Sequence, residues 1–213
     1  MFLSGETLKQ FVQGHQVISP PEDAQTVGYV DDLFDNICYQ LTVGDEIYIS
    51  SVEKPLSLKD RQSVTIRPGE YAIISTAEKL NVPLTKMGLV SMKFRYTGYG
   101  LINVSGFHVD PGFKGNFLFT VFNAGPTPVT IRRLEPMFML LFVDISDPVE
   151  GYGGDHQNQT HIPTEMITAL TGPSISLQNL GDRVSTLENY NKVLLGLAGG
   201  LIAALITAIV ALR

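Results

Sequence analysis

His108–Gly125, HVDPGFKGNFLFTVFNAG, reads as a turn, a strand and a second turn. In Asp110-Pro111-Gly112 the proline presets its own φ, and the glycine supplies the positive φ that a tight reversal needs. Asn116–Asn123 is then rich in Phe, Val and Thr, the residues that suit a pleated, half-buried surface. The same grammar repeats outward along the chain. Strand-like runs are expected at Ile37–Val43, Glu46–Ser51, Ser63–Arg67, Tyr71–Ser75, Leu89–Arg95, Leu101–Ser105, Pro128–Arg132 and Phe138–Ile145, with RPGE and NAGPTP among the breaks. Many short strands at close spacing predict a mainly β, barrel-like or sandwich domain over residues 1–147.

The chain has 213 residues, 44% of them hydrophobic, and a net charge of −6. With no Lys/Arg-rich run, it lacks the basic footprint that a nucleic-acid polymer requires. One cysteine, Cys38, rules out an intrachain disulfide framework and any Cys-rich zinc site, and its apolar run NICYQLTV predicts a buried small hydrophobe. His108 and His156 have no companions at metal-ligand spacing, so neither a metal nor another cofactor is expected.

The first residues, MFLSGETLKQFVQG, predict a short capped helix: Ser4 as N-cap, Glu6 in the first turn, Leu3 and Leu8 at staple spacing, and Gly14 as the stop. SPPEDAQTVGY follows as a Pro-containing connection, and residues 148–173 read as a polar strap or linker. From residue 174 the period changes. Leu177, Leu180, Val184, Leu187, Asn191 and Leu194 alternate in steps of three and four, the a/d pattern of a coiled-coil stalk over 174–192. Residues 193–212 carry no charge, and 20 residues at 1.5 Å each match the ~30 Å hydrocarbon core of a bilayer. Gly196, Gly200 and Ala203 offer small-residue positions for close helix approach in lipid. The expectation is one continuous helix, first in water and then in membrane. The N-terminus lacks a signal peptide, so a C-terminal single-pass anchor would leave the head cytoplasmic, or exposed on a virion membrane.

With these elements in order, the chain resembles the dCTP deaminase and dUTPase superfamily, specifically its dCTP deaminase branch. MFLSGETLKQFVQGHQVISPP is similar to the family's opening, CYQLTVGDEIY to its SYDLTLGDEIY, and SGFHVDPGFKG to its TAGFIDPGFKG. IRPGEYAIISTAE and GYGGDHQNQT match further blocks in the right order, over about three quarters of the chain. The resemblance implies homotrimers of a distorted β barrel with deoxynucleotide sites between subunits. It places contacts at Lys93, Arg95, Ser105, Asp110, Phe113, Gln157 and Gln159.

The chemistry departs from the family. Metal-free deamination at C4 of cytosine needs a carboxylate that takes a proton from water and returns it to the leaving amine. The family carries that Glu on the strand after DPGFKG; the matching residue here is Thr120. Phe94 stands at a family Ser, Gly98 at an Arg, Gln40 at an Asp, Met139 at a Gln, and Asp155-His156 at a Lys-Tyr pair. Three functions are consistent with this pattern: a non-catalytic membrane-anchored trimer, a tethered deoxynucleotide sensor, or an active enzyme with displaced catalytic groups. The first expects Phe94, Phe119 and Met139 to fill the site, and the second expects an open pocket around Asp110.

Overall fold

The computed structural model describes residues 1–21, 29–52, 54–58, 62–170 and 177–212. Most of the SPPEDAQTVGY connection, residues 171–176, the Leu177 side chain and Arg213 lie outside the described residues. Two compact units result, Met1–Ser174 and Ile175–Arg213.

The first unit runs α1 (Gly5–Gly14), β1 (Ile18–Ser19), α2 (Tyr29–Asp32), β2 (Phe34–Asp35), β3 (Cys38–Ile49), β4 (Leu56–Ser57), β5 (Ser63–Ile66) and β6 (Tyr71–Asn81). It continues through β7 (Lys86–Met92), α3 (Phe94–Gly98), β8 (Leu101–Asn103), β9 (His108–Val109), β10 (Lys114–Asn123), β11 (Val129–Arg132), β12 (Pro136–Asp144) and α4 (Thr164–Leu170). The strands form a curled antiparallel sheet in the order β8-β10-β6-β3-β12-β7-β9, with β5 and β11 paired beside it. Inside the curl, Phe119 of β10 stacks on Phe138 of β12 at 3.5 Å between ring centroids. Phe11 of α1 meets Phe142 edge-on, so the helix closes part of the same core. Leu3 and Leu8 are both buried there, as their staple spacing requires. Ser4 stands at the N-cap but its side chain makes no capping bond.

Four expectations, three of them for strands, need correction. GDEIY does not divide two strands: β3 runs unbroken from Cys38 to Ile49, its register against β6 shifting between Val43 and Ile47. Gly44 makes this possible, since a Cβ there would stand 2.7 Å from the Ser75 carbonyl oxygen. A side chain would force the strands apart, so what resembles a turn in sequence is a bulge in a strand. Strand β6 continues past Ser75 to Asn81 because its polar residues find partners indoors. The fully buried Glu78 accepts from Thr42 N at 2.9 Å and Thr42 Oγ1 at 2.8 Å. Asn116 Nδ2 donates to the Thr76 and Glu78 carbonyls. Strand β7 ends at Met92, and Phe94 and Arg95 belong to the short helix α3. Finally, the strap is not wholly irregular, because it ends in α4.

The second unit is a single helix, α5 (Leu177–Ala211). Its segment Leu180–Ala211 is long and apolar enough to cross a membrane, and none of its most apolar window is buried against protein. Periodicity and apolarity thus share one unbroken rod.

Two measurements check the core. Glu78→Ala strands two buried donors of Thr42, and loss of a buried hydrogen-bonded carboxylate costs about 2–4 kcal/mol; denaturant unfolding should show that drop, with Glu78→Gln retaining part of it. Burial pushes the Cys38 thiol pKa up, with Asp35 adding to the effect. A thiol reagent at pH 8 should therefore leave the native chain unlabelled and modify one thiol after unfolding.

Candidate functional site

The alternation of β10 decides what its residues can do. Phe117, Phe119 and Val121 face the core, so Leu118, Thr120 and Phe122 face outward. On that outer face Thr120 pairs with Ile73 of β6, and Ile73 pairs with Tyr48 of β3. The three side chains form one row across adjacent strands, close enough to touch. Thr120 therefore sits, half-buried, at the end of an apolar row.

The Tyr48 and Ile73 part of that row is covered from within the chain. Ile73, Tyr48 and Ile162 form a buried cluster, with Leu118 and the α4 residues Met166, Ile167 and Leu170 packed against it. The expected filling by Phe94, Phe119 and Met139 is not what the structure shows. Phe94 is 86% exposed, Phe119 belongs to the inner core, and Met139 of β12 pairs with Gln40 of β3. The covering segment was missed in sequence because it falls in a polar stretch. Its signal was Ile162 followed by Met166, Ile167 and Leu170, a helical i, i+4, i+5, i+8 stripe.

The residues expected to hold a nucleotide are each engaged in the fold. Lys93 Nζ donates to Gln40 Oε1. Arg95 lies over the Tyr96 and Tyr99 rings and 3.8 Å from Glu135. Ser105 donates from both its backbone N and its Oγ to Asn103 Oδ1. Asp110 closes its turn by accepting Phe113 N at 3.2 Å, with Gly112 at φ +82°, and its carboxylate stands 3.4 Å from His108 Nε2. Phe113 is buried between Phe117 and Tyr152. Burial and Glu135 together push the Tyr96 phenol pKa up, so it stays neutral.

The strap binds to the β10 hairpin through both backbone and side chain. Tyr152 N donates to the Pro111 carbonyl, Asn158 N to Lys114, and Asn116 N to the Gln159 carbonyl, each at 2.8 Å. Gln157 accepts Lys114 N and donates to the Gly112 carbonyl, while Gln159 Nε2 donates to the Asn116 carbonyl. The backbones approach so closely at Gly115, φ +127°, that a Cβ would lie 2.6 Å from the Gln159 oxygen. Gln159 Oε1 is buried with no donor among the described residues.

A separate cleft of about 800 Å³ is lined by Asp45, Glu46, Lys79, Asn116, Arg133 and His161 among others. None of the seven expected contact residues lines it. Among the described residues, no group of three or more His, Cys, Asp or Glu is placed to hold a metal.

Comparison with known proteins gives these features a context. Residues 2–145 match the sequence profile described as dCTP deaminase-like. The dCTP deaminase of Thermococcus kodakarensis is 33% identical over 125 residues, covering 58% of this chain and 79% of the relative. A dUMP-forming dCTP deaminase of Methanobrevibacter smithii is 26% identical over 182 residues, covering 75% and 89%. Among solved structures, the 2'-deoxycytidine 5'-triphosphate deaminase of Agrobacterium tumefaciens aligns with TM-score 0.54 at 13% identity. It covers 66% of this chain and 47% of that one, and shows a shared fold.

The strap's attachment is testable at one atom. Gly115→Ala adds a methyl against backbone and forces an unfavourable φ, together worth about 1–3 kcal/mol. Hydrogen exchange at residues 156–160 should accelerate in this variant while β3 and β12 amides stay protected.

Proposed function

The chain belongs to the dCTP deaminase-like family, and from that membership we propose that it is a non-catalytic, trimeric, membrane-anchored member whose β domain is a structural or interaction head. Thr120 carries the reading. A hydroxyl with a pKa far above neutrality cannot take the proton that the family's carboxylate takes, and losing a general base typically removes ~10²–10⁴-fold in rate. The outer row beside Thr120 is apolar and covered, which supports the same conclusion. The nucleotide contacts implied by resemblance are already used to brace α3, the Asp110 turn and the strap.

Assembly and anchoring complete the proposal. Phe94, Tyr99, Ile102, Val104 and Phe107 are exposed on and after α3, a run of apolar surface that a second and third copy would cover. In the stalk, Leu180, Val184, Leu187 and Leu194 lie exposed on the single helix and gain by association. In lipid the hydrophobic drive between helices vanishes, so close packing at Gly196, Gly200 and Ala203 takes its place. Lys192 stands at the membrane entry, able to keep its charge at the interface. The head then lies on the cytoplasmic side, or on the outside of a virion membrane.

A second reading, a tethered deoxynucleotide sensor, is favoured by one observation. Gln159 Oε1 is a buried acceptor awaiting a donor, and a bound base or sugar could supply it.

Full-length protein in detergent micelles, incubated with dCTP and dUTP, should yield no product at an ordinary enzymatic rate. Thr120→Glu should remain inactive, because Phe94 and Gly98 stand where the family has phosphate-side donors. Turnover abolished by changing Asp110 would overturn the proposal. Deleting residues 193–213 should give a soluble trimer. A monomer, or full-length protein that is soluble without detergent, would contradict the architecture.

A further inference from the structure

The segment His161–Leu170 has a form that the function above does not explain. It begins where the strap ends, enters through Pro163, and makes less than two turns of helix. A helix this short is not stable in isolation, so its structure must come from what it lies on. What it lies on is specific. Ile162 is only 5% exposed, seated against Tyr48 and Ile73, which are both at 0%. Met166, Ile167 and Leu170 extend the contact along the same face toward Leu118. At the head of the segment a single carboxylate fixes it: Glu46 Oε2 accepts Ile162 N at 2.7 Å and lies 3.6 Å from His161 Nδ1.

This small cluster is distinct from the main core, with Val52 packed against both. The inner cluster contains the alternating partners Ile47, Ile49, Ala72, Ile74, Phe119 and Val121, all of which point the other way. The sheet is therefore complete without the segment, and the segment is an addition to a finished surface. Its contacts are one apolar anchor, a short stripe and one polar clasp, the anatomy of a peptide bound in a groove.

We propose that residues 161–170 are an occluding arm, a peptide ligand held in cis on the outer sheet face that carries Tyr48, Ile73 and Leu118, and that the arm can release without unfolding the head. Ile162 is the anchor and Glu46 the clasp. While docked, the arm closes the face on which Thr120 sits; released, it exposes an apolar groove suited to an amphipathic helical stripe. The inference depends neither on loss of catalysis nor on three-fold assembly.

The test uses the full-length protein in lipid nanodiscs. Hydrogen exchange on the wild type comes first. The Met166 and Ile167 amides, both bonded to the Pro163 carbonyl, should exchange at least ~10-fold faster than core amides of β6 and β10. Exchange of arm and strands at one common rate would make the arm part of the core and overturn the proposal. The second arm of the test uses a fluorescent synthetic peptide of sequence HIPTEMITAL. It should bind the double variant Ile162→Asp/Ile167→Asp at least ~10-fold more tightly than wild type, whose groove is filled; Glu46→Ala should lie between them. Equal binding to both proteins, or binding to neither while the variant keeps wild-type protection in β6 and β10, would refute it.

Discussion

The pairing of β10 against β6 governs the rest of the head. Thr120 opposite Ile73 and Phe119 opposite Ile74 assign every side chain of the two strands to the core or to the outside. A slip of one residue would turn Phe119 and Val121 out and bring Leu118 and Thr120 in. Two features lock the register. Phe119 stacks on Phe138 across the interior, and the bulge at Asn116–Leu118 is held by Thr76 Oγ1 accepting Phe117 N and by Asn116 donating to two carbonyls of β6. The outward placement of residue 120 is thus set by the register, whatever residue occupies it.

A fold of this kind is maintained by its inner face, its bulges and its glycine contacts, none of which requires a carboxylate at residue 120. Here the outer face is apolar beside Thr120, and Tyr48 and Ile73 are buried under Ile162. The same economy applies to the polar survivors. Gln157 and Gln159 bind strap to hairpin, and Lys93 braces β3 through Gln40, so each has a structural reason to persist.

Much of the fold was legible in the sequence because it depends on local signals. The DPG turn, the aromatic strand after it, the Leu3/Leu8 staple and the charge-free C-terminal helix each announce themselves within a few residues. The errors arose where distant residues decide. Nothing near Gly44 reveals that β6 passes within van der Waals distance, so a bulge resembles a turn. Thr76 and Glu78 look like loop residues until Phe117 and Thr42, each more than thirty positions away, supply their partners. Of the candidate site, the turn at Asp110 and the strand that carries Thr120 were legible, because each rests on a local pattern. Its covering was not, because Ile162 and α4 acquire meaning only when a sheet lies beneath them.

The account stands on one claim, that the face bearing Thr120 is closed by protein and not held open for a nucleotide. Cryo-electron microscopy of full-length protein in lipid nanodiscs, with millimolar dCTP present, tests it most directly. The account predicts a three-fold particle in which density for Ile162, Met166, Ile167 and Leu170 fills the space above Tyr48 and Ile73, with no nucleotide near Thr120. A nucleotide resolved against Asp110 and Gln159, with a carboxylate from elsewhere in the assembly within hydrogen-bond reach of its base, would contradict it.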